Sequence, residues 1–221
     1  MKFVFSDLNE PILFEENVIN SLIIENQNLF MFLIDDLYRQ INGESGVSVL
    51  SSDDSPIEIK KNVELISSFV PFELNKRSLI GKIISALEKT SVDEEFYLRT
   101  VSLLSEIERY IEDISFELPC HLECEKLTVQ SLCKAVGLRL SGEKGNTLDN
   151  IIDYMELVRE FENDKLFVFV NMRSYYSDSQ MESFTETVIS RKFRILLVDG
   201  HEHKRLCREK RLIIDKDLCE I

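Results

Sequence analysis

Three features of this chain have the composition for chemistry: a cluster of carboxylates, a short glycine-containing loop and a strand that ends in aspartate. Glu112, Asp113, Glu117, Glu123 and Glu125 fall near the end of a long helical stretch and in the loop after it. Calcium takes several oxygen ligands, carboxylates among them, from flexible loops of this sort. The same cluster also reads as a solvated acidic face. Ile195-Leu196-Leu197-Val198-Asp199 is a hydrophobic strand closed by an aspartate, as in nucleotide triphosphatases, where such an aspartate helps to hold magnesium. The phosphate loop tests that comparison. Ser141-Gly142-Glu143-Lys144-Gly145-Asn146-Thr147 lies between an expected strand at 138–140 and a helix, which is the right context, but G-x-x-x-x-G-K-[ST] is not matched: the loop is too short and no lysine directly precedes Thr147. Without that spacing the backbone is not expected to cradle a triphosphate, and Gly142 and Gly145 read as turn residues.

Other catalytic signatures are missing. There is no G-x-S-x-G and no H-E-x-x-H, and the histidines are His121, His201 and His203. The five cysteines, Cys120, Cys124, Cys133, Cys207 and Cys219, are odd in number and read as reduced thiols. Cys120-His121-Leu122-Glu123-Cys124 has the form of half a zinc site, but a closed site needs a second spaced pair and Cys133 has no partner.

A formal charge of −14 over 221 residues argues against diffuse, whole-surface binding to nucleic acid, so any contact must come from local patches. One patch reverses the sign: Arg191, Lys192, Arg194, Lys204, Arg205, Arg208, Lys210 and Arg211 stand against Asp199, Glu202 and Glu209. It reads as a solvated helix and loop or as a phosphate-contacting face. The N-terminus lacks a long apolar run, and no stretch approaches the roughly 18 apolar residues of a membrane span. The expectation is a cytoplasmic protein with no membrane partner.

The elements that must position these groups follow from periodicity. Phe3-Val4-Phe5, Ile12-Leu13-Phe14 and Val18–Ile24 read as strands, the last ending at a helix cap, Asn26. Leu29, Leu33, Leu37 and Ile41 mark one helical face closed by Gly43. A strand pair is expected around Ser51–Pro56. From about Asn75 to Gly137 the pattern is helical, with stripes at Leu79, Ile80, Ile83, Ile84 and Leu87 and at Leu98, Val101, Leu104, Ile107, Ile111 and Ile114. The remainder alternates: 138–140, a helix through Ile151–Phe161, the run Leu166–Val170, a helix opened by Ser177, then Arg194–Asp199 and Leu212–Asp215. Wholly apolar strands alternating with helices predict a buried parallel sheet. The chain therefore divides into a first part of an α/β head at 1–74, an inserted helical leg at 75–137 and the second part of the head at 138–221.

In order along the chain, Phe5-Ser6-Asp7-Leu8-Asn9-Glu10-Pro11-Ile12, Phe72-Glu73-Leu74-Asn75, Leu87-Glu88, Leu132-Cys133-Lys134-Ala135-Val136-Gly137-Leu138, Leu166-Phe167-Val168-Phe169-Val170-Asn171 and Ile214-Asp215-Lys216-Asp217 resemble the Csn-two family, the accessory spacer-acquisition protein of type II-A CRISPR systems. The resemblance implies a head similar to a P-loop ATPase that has lost its nucleotide loop, a helical leg, and four subunits closing a ring around double-stranded DNA. It implies no catalysis and no bound nucleotide. It also implies calcium near the leg, for which Glu117, Glu123 and Glu125 fall where the family has an acidic run, interrupted here by Pro119, Cys120 and Cys124. The partners it implies are the adaptation integrase and the RNA-guided effector nuclease. The residues expected to line the channel and meet phosphates are Lys76, Arg77, Lys82, Arg191, Lys192, Lys204, Arg205 and Arg208. An enzymatic alternative is a divergent nucleotide triphosphatase or metal-dependent nuclease using Asp199 with the acidic cluster; a protein-interaction scaffold is a third reading.

Overall fold

Short apolar runs at the start of the chain form strands as expected, and the first long one enters a different sheet. In the computed structural model, which describes residues 1–120, 122–142 and 147–221, β1 (Lys2–Val4) pairs antiparallel with β2 (Ile12–Leu13), and then β3 (Ile19–Ile24) leads into helix α1 (Gln27–Ile41). Asn26 caps α1: its Oδ1 accepts from the backbone N–H groups of Asn28 and Leu29, both at 3.1 Å. Strands β4 (Val49–Ser52) and β5 (Ser55–Ile57) complete a small antiparallel sheet of order β2-β1-β4-β5. Asp53 and Asp54 turn between them in the left-handed region, where short acidic side chains tolerate a tight hairpin.

A short helix α2 (Ile59–Asn62) and strand β6 (Val63–Ile66) follow. After the inserted segment come α6 (Thr147–Phe161), β7 (Leu166–Val170), a 3-10 turn (Met172–Ser174), α7 (Asp178–Ser190), β8 (Arg194–Asp199) and β9 (Glu209–Ile214). All pairings in the large sheet are parallel, in the order β6-β7-β8-β3-β9. Side chains alternate across it. On one face Leu22, Ile24, Leu166, Val168, Leu196 and Val198 share a core with Leu29, Leu33 and Leu37 of α1 and with Phe3, Phe5 and Leu50 of the small sheet. On the other, Phe167 meets Phe193 and Phe169 meets Phe184 of α7 edge-on, while Tyr154 of α6 donates to Glu64 at 2.7 Å.

The chain forms two compact units, Met1–Glu73 with Glu143–Ile221, and Leu74–Gly142. The second unit holds α3 (Arg77–Thr90), α4 (Tyr97–Ser115) and α5 (Val129–Ala135). Leu79 and Ile84 of α3 are buried, whereas no residue of α4 is. The strand expected at 138–140 does not form. Leu140 satisfies its backbone on one side chain instead, donating to Asn75 Oδ1 at 2.7 Å and accepting from Asn75 Nδ2 at 3.2 Å. The leg is also less continuous than its periodicity suggests, because the described residues of 116–127 form no helix.

Candidate nucleic-acid interface

The basic stretch from Arg191 to Arg211 is divided by the fold into two groups. The first gathers at the amino-terminal edge of the parallel sheet, where β8, β3 and β9 begin. Arg191 ends α7 and pairs with Glu156 of α6. Arg194 donates to Asp164 at 2.6 Å, and Lys192 faces Glu16 at 3.6 Å with both side chains largely in solvent. Arg159 joins this edge, stacked 4.2 Å above the Phe193 ring and donating to the Arg191 carbonyl at 2.8 Å. Exposed pairs of this kind are worth about 1 kcal/mol or less, so a phosphate displaces them at little cost. Arg208 lies at the same edge, its carbonyl accepting from Ile19.

The second group lies on the segment 200–208, which connects β8 to β9 without regular structure. Lys204 and Arg208 are exposed and make no ion pair among the described residues, while Arg205 Nη2 reaches only a backbone carbonyl, that of Glu209 at 3.2 Å. Arg211 is not available as a surface cation. It donates to Glu202 at 2.7 Å, to Glu209 at 2.9 Å and to the His203 carbonyl at 2.9 Å.

Under that segment lies a buried polar cluster. Arg173, from the turn after β7, donates to Glu209 Oε1 at 3.1 Å, with side chains 2% and 0% exposed, and to the Lys204 carbonyl. Glu209 Oε2 also accepts from the Leu206 amide at 2.8 Å. Burial alone would raise the Glu209 pKa, but the Ser21 hydroxyl, the Leu206 amide and the two guanidinium groups outweigh it and hold the carboxyl below its ordinary value. Asp199 shows the opposite balance. Burial pushes it up to about 7, Glu209 adds to the rise, and Arg173 and Arg211 oppose it. The Arg173 amide pulls the same way as its guanidinium without making a hydrogen bond, and both Asp199 side-chain oxygens lack a partner among the described residues. Across from it lies His203 Nε2, at 3.9 Å and likewise without a partner among the described residues. Arg173 is the residue that sequence reasoning missed; a lone arginine three positions past an apolar strand carries no periodic signal.

Lys76, Arg77 and Lys82 belong to the other unit. Lys76 occupies the cap position of α3 and is half-buried, and Arg77 and Lys82 are exposed on that helix. Glu117, Glu123 and Glu125 are exposed in and beside the irregular segment after α4. Among the described residues no three His, Cys, Asp or Glu side chains converge as a metal site. His121, and with it the centre of the half-zinc pattern, lies outside the described residues, as do residues 143–146 of the glycine loop. All five cysteines are unpaired thiols. With no strand at 138–140, that loop is not in a strand–loop–helix setting. Where the large sheet does pass directly from strand to helix, β3 to α1, only Glu25 and Asn26 intervene and Asn26 already occupies the first helical donors. No helix among the described residues is long and apolar enough to cross a membrane.

Comparison with known proteins agrees with this architecture along most of the chain. The chain is 21% identical over 203 residues to CRISPR-associated protein Csn2 of Enterococcus faecalis, covering 90% of each. It is 21% identical over 219 residues to CRISPR-associated protein Csn2 of Streptococcus agalactiae, covering 98% of this chain and 96% of that one. Its fold is similar to the crystal structure of Stu0660 of Streptococcus thermophilus, with a TM-score of 0.56, 16% identity, and 91% of this chain and 69% of the other covered. Residues 40–218 match the family described as CRISPR-associated protein (Cas_Csn2), and the chain belongs to that Csn2 family.

Proposed function

We propose that this chain is a non-catalytic, ring-forming protein that holds double-stranded DNA without reading its sequence and supports the acquisition of new spacers in type II-A CRISPR immunity. Membership of the Csn2 family carries the reading. Two physical features support it. Lys204, Arg205 and Arg208 are exposed cations on a chain of net charge −14, a distribution that confines phosphate attraction to one region and repels DNA elsewhere. Helix α4 exposes Leu98 at 78%, and Phe116 at its end at 84%. Apolar side chains left in water along a whole helix favour burial against further copies.

In this reading four copies close a channel, and Lys76, Arg77, Lys82, Arg191, Lys192, Lys204, Arg205 and Arg208 supply its phosphate contacts. Such contacts release counterions and give binding that falls steeply with salt. The head is that of a P-loop ATPase without its nucleotide loop. Calcium belongs to the same proposal: by drawing Glu117, Glu123 and Glu125 together it would order the segment after α4, and the adaptation integrase and the RNA-guided effector nuclease would act on the DNA so held, in the cytoplasm.

A titration of a fluorescent duplex of arbitrary sequence at several salt concentrations tests the proposal. Salt-sensitive binding that is equal for unrelated sequences supports it; binding unchanged by salt, or none at low salt, refutes it.

A further inference from the structure

The second face of the large sheet hides a carboxyl that DNA binding does not use. Asp199 closes β8, is 1% exposed, and has no hydrogen-bond partner for either oxygen among the described residues. The segment 200–208 holds His203 against it and is fastened by single bonds rather than a ladder: Gly200 donates to Asn171 Oδ1 at 3.0 Å, Leu206 to Glu209 at 2.8 Å, Cys207 to Glu182 at 3.2 Å and Arg205 to the Glu209 carbonyl at 3.2 Å, Glu202 accepts from Arg211 at 2.7 Å, the Lys204 and His203 carbonyls accept from Arg173 and Arg211, and the Arg208 carbonyl accepts from Ile19 at 3.0 Å. We propose that segment 200–208 is a proton-operated flap, shut while the Asp199 carboxyl beneath it carries a proton and lifting when that proton is lost.

The groups that face Asp199 define the two states. They are His203 from the segment, Arg173 from the turn after β7, and Glu209 and Arg211 from β9. His203 in turn faces Arg173, His201, Arg211 and, at the start of α7, Asp178. Glu209 engages both guanidinium groups, at 3.1 Å and 2.9 Å, so Asp199 has no cation of its own. A protonated Asp199 offers an O–H to His203 Nε2, which needs to move about 1 Å closer for a normal bond. Burial first, then Arg173, His201 and Arg211, keep His203 below its ordinary pKa and so able to accept. Ionisation leaves a buried carboxylate with no hydrogen bond to either oxygen, offset only in part by Arg173 and Arg211, a costly state. Water relieves it, and displacement of segment 200–208, which has no helical or sheet ladder, gives it a path.

The folded pKa of Asp199 is raised from 3.8 to about 7. The shut state therefore holds its proton more tightly than the open one, and opening is favoured about tenfold per pH unit as pH rises between those values, levelling off above the upper one. Lys204 and Arg205 ride on this segment, so their placement follows the same proton, whereas Arg208 is held at the sheet edge by the Ile19 amide.

Amide hydrogen exchange of the full chain at pH 5 and pH 7, each normalised to the intrinsic rate, tests the flap without reference to DNA. Residues 200–208 are expected to lose about fiftyfold in protection between the two pH values while α6 and β7 hold theirs. Asp199→Asn, uncharged throughout, is expected to abolish the change. Equal protection of the wild-type segment at both pH values overturns the proposal, as does a loss shared equally by α6 and β7, which would make Asp199 a matter of global stability. If Asp199→Asn fails to fold, the wild-type comparison alone decides.

Discussion

Replacing Glu209 by glutamine removes one negative charge from a place where two guanidinium groups depend on it. Glu209 accepts from Arg173 at 3.1 Å, from Arg211 at 2.9 Å and from the Leu206 amide at 2.8 Å, with its side chain fully buried. Breaking a buried pair by neutralising one partner costs about 3–5 kcal/mol, because the remaining charge stays desolvated. Arg173→Met is the milder change: Glu209 keeps Arg211 and the Leu206 amide, so the loss is closer to that of one charged hydrogen bond, about 1–3 kcal/mol. The double variant is expected to cost less than the sum of the two, since both remove one shared interaction. Thermal unfolding followed by far-UV circular dichroism reads the series. For a chain of this size about 4 kcal/mol lowers Tm by roughly 10 °C. Because the Glu209 pKa is held below its ordinary 4.5, its contribution is present above that value and lost as pH falls through the folded one, so the gap between wild type and Glu209→Gln closes in acid. Glu209→Gln within about 1 kcal/mol of wild type at pH 7, or less harmful than Arg173→Met, refutes the assignment of Glu209 as the shared anion.

Gly46→Ala would drive a Cβ into the Asp36 carboxylate and the Gln40 side chain; overpacking of this kind costs about 1–3 kcal/mol, measured as a lower urea midpoint. Asp36 accepts from the Val47 and Ser48 amides at 2.8 Å and 2.9 Å. These bonds and that of Gln40 outweigh burial and lower its pKa below 3.8, so Asp36→Asn is expected to destabilise the protein at pH 7 and to converge with wild type as pH falls through the folded value. Lys204→Ala and Arg208→Ala are each expected to weaken duplex binding and to flatten the dependence of log affinity on log salt by about 1, read by anisotropy, while Arg211→Ala acts mainly through stability. Leu98→Glu on α4 is expected to shift the assembly toward smaller species in sedimentation velocity, with little change in circular dichroism.

The parallel sheet was legible because its interior strands have no polar face to hide: Ile19–Ile24, Leu166–Val170 and Arg194–Asp199 are almost wholly buried, and such runs have few other places to go. Caps were equally plain, Asn26 and Ser177 each receiving the backbone donors their types predict. Strand β6 was not seen, since Val63-Glu64-Leu65-Ile66 is short, sits at the sheet edge and carries a charge that becomes tolerable only when Tyr154 and Lys165 reach Glu64. At 138–140 local β-propensity was overridden because Asn75 offered the backbone its bonds first. The basic stretch misled in another way. Residues contiguous in sequence were read as one patch, yet Arg194 goes to Asp164 and Arg211 turns inward to Glu209. Those partners lie 30 residues away in one case and two in the other, and spacing along the chain reveals neither.

The central claim, an oligomer that encloses duplex DNA, is met most directly by size-exclusion chromatography with light scattering, run with and without linear duplex at low and high salt and with calcium or a chelator. A closed ring of four copies has four times the chain mass without DNA, and forms a larger complex with duplex at low salt that disperses at high salt. A monomer whose mass is unchanged by duplex at low salt would contradict it.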